Sequence, residues 1–173
     1  MKKAPLDFVI ESNKKTVVNY FTPAPTDQVK TAVPVRELSK SGQLVLWSIR
    51  RWVQRRRLGD GVDTTLKKTY SLAGIPDAQK PFEELMTLLA TVALRHVVVE
   101  CQCSAFLSSD ELLLMHTLRS LQSGHHEIAE QRIARIIGGQ LGWTFCRIGA
   151  DYVKSLEKAG FSLNRISVLS VAR

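Results

Sequence analysis

Residues 108–124 read SSDELLLMHTLRSLQSG, and this stretch decides the fold. Ser108 stands three residues before Glu111, and the apolar run Leu112-Leu113-Leu114 follows at once. That spacing is a capping box. The serine hydroxyl accepts from the backbone N–H three residues on, while the glutamate reaches back to the serine N–H. The pattern predicts a helix that runs to about Ser123-Gly124.

Working downstream, a helix is expected over about His126–Ile137, with Ile128, Ile133, Ile136 and Ile137 on its apolar side and Gly138-Gly139 after it. Gly138-Gly139-x-x-Gly142 reads as a flexible turn. A further helix is expected over about Phe145–Lys158, ending at Gly160, and the tail 161–173 is short and mixed. Working upstream, Val97-Val98-Val99 is β-branched and predicts an extended connection at roughly 96–107. Before it, Phe82, Leu85, Leu88, Leu89 and Val92 share helical spacing on a helix that starts near Ala78. Asp77 is the expected cap, and Pro81 is tolerable in the first turn.

Two more helices are expected over about Gln43–Leu58 and Thr65–Ala73. Ser39 or Ser41 caps the first, and Gly59-Asp60-Gly61 ends it. The second is stopped by Gly74-Ile75-Pro76. Pro5, Pro23, Pro25 and Pro34 interrupt residues 1–37, which read as a poorly structured, flexible arm in which only the run Val17–Phe21 suggests a docked extended segment. The predicted architecture is mainly α: a compact bundle of five or six amphipathic helices forming one domain over 38–173, behind an N-terminal arm of 1–37.

Composition fits this reading. Apolar residues make up 45% and charged residues 23% of 173, which suits a globular chain and argues against extensive disorder. No stretch approaches the roughly 20 apolar residues that span a bilayer. The N-terminal lysines precede an apolar run, Phe8-Val9-Ile10, too short for a secretory signal. Three cysteines, an odd number, do not resemble a secreted disulfide framework, so reduced thiols and a cytoplasmic setting are expected.

The net charge of +8 is unevenly distributed. Residues 36–68 hold nine Lys and Arg against three Asp and Glu, whereas residues 69–173 hold ten of each. A concentrated basic segment attracts nucleic acid, anionic lipid or an acidic protein, and is equally compatible with an ordinary solvated face. On a helical wheel with Arg50 at zero, Val45, Leu46, Ile49, Trp52 and Val53 fall on one arc, the core face. Arg50, Arg51, Gln54, Arg55 and Arg57 fall opposite, with Trp47 among them. This predicts an interaction face of Trp47, Arg50, Arg51, Gln54 and Arg55: guanidinium groups for phosphate or carboxylate, and a ring for stacking. The competing reading has Trp47 covered and the arginines solvated, and Leu44 and Leu58 on the polar side favour it.

Cys101-x-Cys103 lies on the expected extended segment, where alternate side chains share a face. With Cys146 and one of His96, His116, His125 or His126, the set has the composition of a zinc site, but a second close-spaced ligand pair is missing. Free cysteines are frequent core residues, and packing is the expected role, with at least one sulfur pointing into the apolar interior. Asp110 and Glu111, like Glu83 and Glu84, stand in first helical turns, where the dipole favours carboxylates. Phosphate-loop, dinucleotide, HExxH and nucleophile-elbow patterns are absent, so no catalytic residue and no cofactor is expected.

Leu44-Val45-Leu46-Trp47-Ser48-Ile49-Arg50-Arg51-Trp52, and Cys101-x-Cys103 followed by Leu107-Ser108-Ser109-Asp110-Glu111-Leu112-Leu113, resemble a family of small, mainly helical proteins of alphaproteobacteria without an established activity. Cys146 near the start of a last helix is a further similarity. The resemblance covers roughly 42–160. It implies a helical fold and a bacterial cytoplasmic setting, and no reaction or ligand. The expected function is a non-enzymatic helical interaction or regulatory module whose partner is protein or nucleic acid. The alternatives are a nucleic-acid-binding protein using the basic face with Lys67 and Lys68, and a metal- or thiol-dependent protein centred on Cys101, Cys103 and Cys146.

Overall fold

The computed structural model describes residues 21–22, 33–58 and 64–163. Among them are six α-helices: α1 (Lys40–Leu58), α2 (Thr64–Leu72), α3 (Gln79–Val92), α4 (Ser109–Gln122), α5 (His126–Ile137) and α6 (Gly142–Lys158). Two short strands, β1 (Phe21–Thr22) and β2 (Val97–Val98), pair in parallel, Phe21 beside Val97 and Thr22 beside Val98. The predicted mainly α bundle is the fold observed.

Local chemistry explains several helix ends. Ser39 caps α1, its Oγ accepting from the Gly42 N–H at 3.1 Å. Ser108 caps α4, and both halves of the capping box are formed, Glu111 N–H to Ser108 Oγ at 3.0 Å and Ser108 N–H to Glu111 Oε2 at 2.8 Å. Gly124, Gly138 and Gly160 follow helix ends with φ near +77°, a conformation that glycine adopts without steric penalty.

Three expectations are corrected. Asp77 does not cap α3: it lies in a 3-10 turn, Pro76–Ala78, which leads into α3 without a side-chain cap. Helix α6 starts at Gly142 instead of near Phe145, so Gly142 belongs to the helix and the turn is confined to residues 138–141. Ile128 is 43% exposed, while Ala129, Ile133, Ile136 and Ile137 are buried. The buried stripe of α5 is thus centred further round the helix than its isoleucines alone suggest.

Helix α6 occupies the centre, packing on α3, α4 and α5, and α1 packs on α2 and α4. The expected core face of α1 is the one buried: Val45, Leu46, Ile49, Trp52 and Val53 are each at most 4% exposed. From α2, α3 and α6, Tyr70, Phe82 and Tyr152 meet with ring centroids 5.9 and 5.5 Å apart. The two tyrosine hydroxyls share a hydrogen bond of 3.0 Å, while the buried Ser48 hydroxyl donates to the Leu44 carbonyl at 2.8 Å. Burial raises both phenols above their ordinary range, so they remain neutral hydrogen-bonding groups.

Residues 1–20, 23–32, 59–63 and 164–173 lie outside the described residues, and with them most of the segment read as an arm, the expected stop Gly59-Asp60-Gly61 and most of the tail. The arm boundary at residue 37 is corrected, because residues 33–37 join the body. Val35 N–H donates to the Ala105 carbonyl at 2.8 Å, and Leu107 N–H donates to the Val33 carbonyl at 3.1 Å. Pro34 bridges to Phe106 in antiparallel sense. The prolines that argue against helix here do not oppose short extended pairing at an edge.

Candidate functional site

The first turn of α4 organises the surface. The Glu111 carboxylate is fully buried, and each oxygen accepts two hydrogen bonds. Oε1 accepts from Arg50 Nε at 2.8 Å and from the Glu100 N–H at 3.1 Å. Oε2 accepts from Arg50 Nη2 at 3.0 Å and from the Ser108 N–H at 2.8 Å. The guanidinium of Arg50, 3% exposed, also donates to the carbonyls of Ser104 and Phe106, both at 2.8 Å. The planar fork of arginine suits this two-pronged pairing with a carboxylate.

Arg50 is therefore removed from the predicted interaction face. Its wheel position borders the apolar arc, next to Leu46, and the carboxylate of Glu111 lies on that side. A buried carboxylate with its donors in place recruits the nearest guanidinium inward. The other members of the face are distributed differently. Trp47 is half-buried and packs against the core. Gln54 is exposed, Arg51 and Arg55 are half-buried, and Arg51 Nη2 reaches Thr65 Oγ1 at 3.4 Å. The predicted face is not one continuous solvent-facing array.

Asp110, the other carboxylate of that turn, holds the strand side. It accepts from Arg95 Nη1 and Nη2 at 2.9 and 2.6 Å and from the Val98 N–H at 2.8 Å. The hydrogen bonds and charge of Asp110 raise the Arg95 pKa further, against its partial burial. Ser108 Oγ donates to the Val98 carbonyl at 2.6 Å. Both acids thus clamp the chain that precedes their own helix. Their spacing announced a helix cap, and no sequence signal announced their long-range partners.

What the clamp presents is the loop Glu100–Phe106. Cys101 and Cys103 are exposed at its tip and are joined by a disulfide. This corrects the expectation of three reduced thiols. A turn, with the Ser104 N–H bonded to the Cys101 carbonyl at 3.1 Å, draws the two Cα atoms to 5.3 Å, within disulfide range. Gln102 lies between them, its Nε2 donating to the Trp47 carbonyl at 3.2 Å. The bond closes a ring of only three residues. The chain-entropy model then gives about 1.6 kcal/mol of stabilisation, against about 4.7 kcal/mol for a 100-residue loop.

Cys146 takes no part. It is buried in the hydrophobic core, and burial, with Glu130 nearby, pushes its thiol up to about 11. Among the described residues no group of three or more His, Cys, Asp and Glu is arranged to hold a metal ion. His125 and His126 are exposed before and at the start of α5. His116 is half-buried, and desolvation followed by the charges of Arg132 and Arg119 lowers its pKa, which keeps the imidazole neutral. The three-cysteine metal centre is thus not assembled among these residues.

A second surface feature is the basic end of α1. Arg55, Arg56 and Arg57 occupy its last turn, and Arg56 lies over the Trp52 ring at 4.8 Å. The Trp52 indole N–H donates to Glu83 Oε2 at 2.8 Å. Neighbouring α2 adds exposed Lys67 and Lys68. Neither α1 nor α2 contains an acidic residue. Among the described residues no helix is long and apolar enough to cross a membrane. Comparison with protein-family models, curated proteins and solved structures finds no match.

Proposed function

We propose that the protein is a non-enzymatic helical interaction module that binds nucleic acid through the basic end of α1 and the adjoining α2. The supporting observation is the charge of these two helices, which carry eight Lys and Arg and no Asp or Glu. Glu111 neutralises one of the eight, Arg50, in the interior, and Glu83 places one carboxylate beside Trp52. The helix dipole favours cations in the last turn of α1 with or without a ligand. Lys67 and Lys68 lie beyond that effect on a separate helix. Arg56, Arg57, Lys67 and Lys68 are all exposed, so both helices contribute cations to the surface. Phosphates spaced along a strand match such a surface, and no base-reading element is required.

The test is fluorescence anisotropy of the full chain with single-stranded and duplex oligonucleotides across a salt series. Replacing Arg56, Arg57, Lys67 and Lys68 together by glutamine is expected to lower affinity at least tenfold. It should also flatten the log–log salt dependence by about 0.7–0.9 for each phosphate no longer neutralised, roughly 3 in all. Absence of binding to either form at low salt, or an unchanged salt slope in the variant, removes nucleic acid as the partner.

A further inference from the structure

We infer that Cys101 and Cys103 form a thiol–disulfide exchange site, a reversible two-electron couple that takes small thiols and disulfides such as glutathione as co-substrates. The inference is independent of the anionic partner proposed above. Three observations carry it. Both cysteines are exposed at the tip of one loop, so an attacking thiolate has access. The hydrogen bonds that hold the loop run through Glu100, Gln102, Ser104, Phe106 and Ser108, to Arg50, Trp47 and Glu111. None of these bonds uses a sulfur atom. The loop therefore keeps its shape when the S–S bond opens, and the two thiols remain next to each other for re-oxidation. Finally, a bond closing three residues contributes little as a staple, so its placement at an exposed tip is better explained by chemistry than by stability.

In the reducing direction, a thiolate RS⁻ attacks one cysteine sulfur. The Cys101–Cys103 bond breaks, and its electron pair leaves on the other sulfur, which takes a proton. A second RS⁻ attacks the mixed disulfide, forming RS–SR and releasing the first cysteine, which is protonated in turn. Two thiols are oxidised to one disulfide, and the protein disulfide is reduced to two thiols. Oxidised glutathione drives the reverse. Cys146, buried and protonated at neutral pH, does not compete.

The experiment equilibrates the full-length protein in glutathione buffers from fully reduced to fully oxidised, followed by alkylation and peptide mass spectrometry. Cys101 and Cys103 are expected to titrate together as one two-electron transition, with Cys146 unmodified until the protein is denatured. Helical circular dichroism should be the same at both ends, and the melting temperature should differ by less than about 6 °C. Cys103→Ser is expected to accumulate a mixed disulfide with glutathione on Cys101. A bond that fails to form under oxidised glutathione overturns the inference. So does one that resists millimolar thiol in the native protein, or one whose reduction abolishes cooperative unfolding. The wild-type titration decides even if the serine variant fails to fold.

Discussion

Glu111→Ala is expected to destabilise the protein by about 3–5 kcal/mol, because it leaves the Arg50 guanidinium buried without its counter-charge. The variant also loses half of the capping box of α4, and the backbone donors of Glu100 and Ser108 lose their acceptor. Arg50→Ala should fall in the same range, because it strands the Glu111 carboxylate and frees the carbonyls of Ser104 and Phe106. Arg50→Lys should rescue little, since an ammonium does not reproduce the planar fork that meets both carboxylate oxygens. The double variant Arg50→Met with Glu111→Leu should be clearly less destabilised than the sum of the two single alanine variants, because no buried charge remains unpaired. Urea unfolding followed by circular dichroism measures all four. A loss below about 1 kcal/mol for Glu111→Ala would mean that the pair is open to solvent. Limited proteolysis gives an independent reading, since cleavage within 100–106 should accelerate in either alanine variant.

Phe82→Ala is expected to lose a similar amount, about 3–5 kcal/mol, through a different effect. Phe82 is 1% exposed and lies between Tyr70 and Tyr152, so its removal opens a cavity where α2, α3 and α6 meet. The flanking rings are held by the bond between their hydroxyls and cannot collapse freely into the space. Phe82→Leu, which keeps most of the volume, should lose markedly less. Tyr152→Phe should lose about 1–3 kcal/mol, because it leaves the buried Tyr70 hydroxyl without its partner but opens no cavity. Reversal of this order, with the hydroxyl deletion worse than the cavity, would show that the polar bond and not ring packing holds these helices together. The measurement is the same denaturant series, with unchanged slopes confirming that the unfolded state is comparable.

The two sets of variants separate what periodicity reveals from what it conceals. The core face of α1 is legible because Val45, Leu46, Ile49, Trp52 and Val53 recur at helical spacing, and hydrophobic burial acts on spacing alone. Ser108 and Glu111 are legible as a cap because both halves of that interaction lie within four residues. The arm boundary is not, because proline rules address helix and say little about extended pairing with residues 104–107. Nor is the exposure of Ile128, because hydrophobicity identifies residues suited to burial, while the neighbouring helices choose which are covered.

By itself the sequence determined the helices, most of their ends and the concentration of charge near α1, since all of these depend on neighbours along the chain. The tertiary structure alone decided that Arg50 faces inward. Its partner is 61 residues away, and a guanidinium on the border of an apolar arc turns toward whichever environment supplies its hydrogen bonds. It likewise decided the state of the cysteines. Cys101 and Cys103 lie within reach of each other in any turn, but Arg50 and Glu111 fix the loop on which that turn forms, while Cys146 is held apart in the core of the helix bundle. Spacing along a chain specifies local geometry. The sharing of buried hydrogen-bond donors and acceptors between distant segments is settled only when those segments pack.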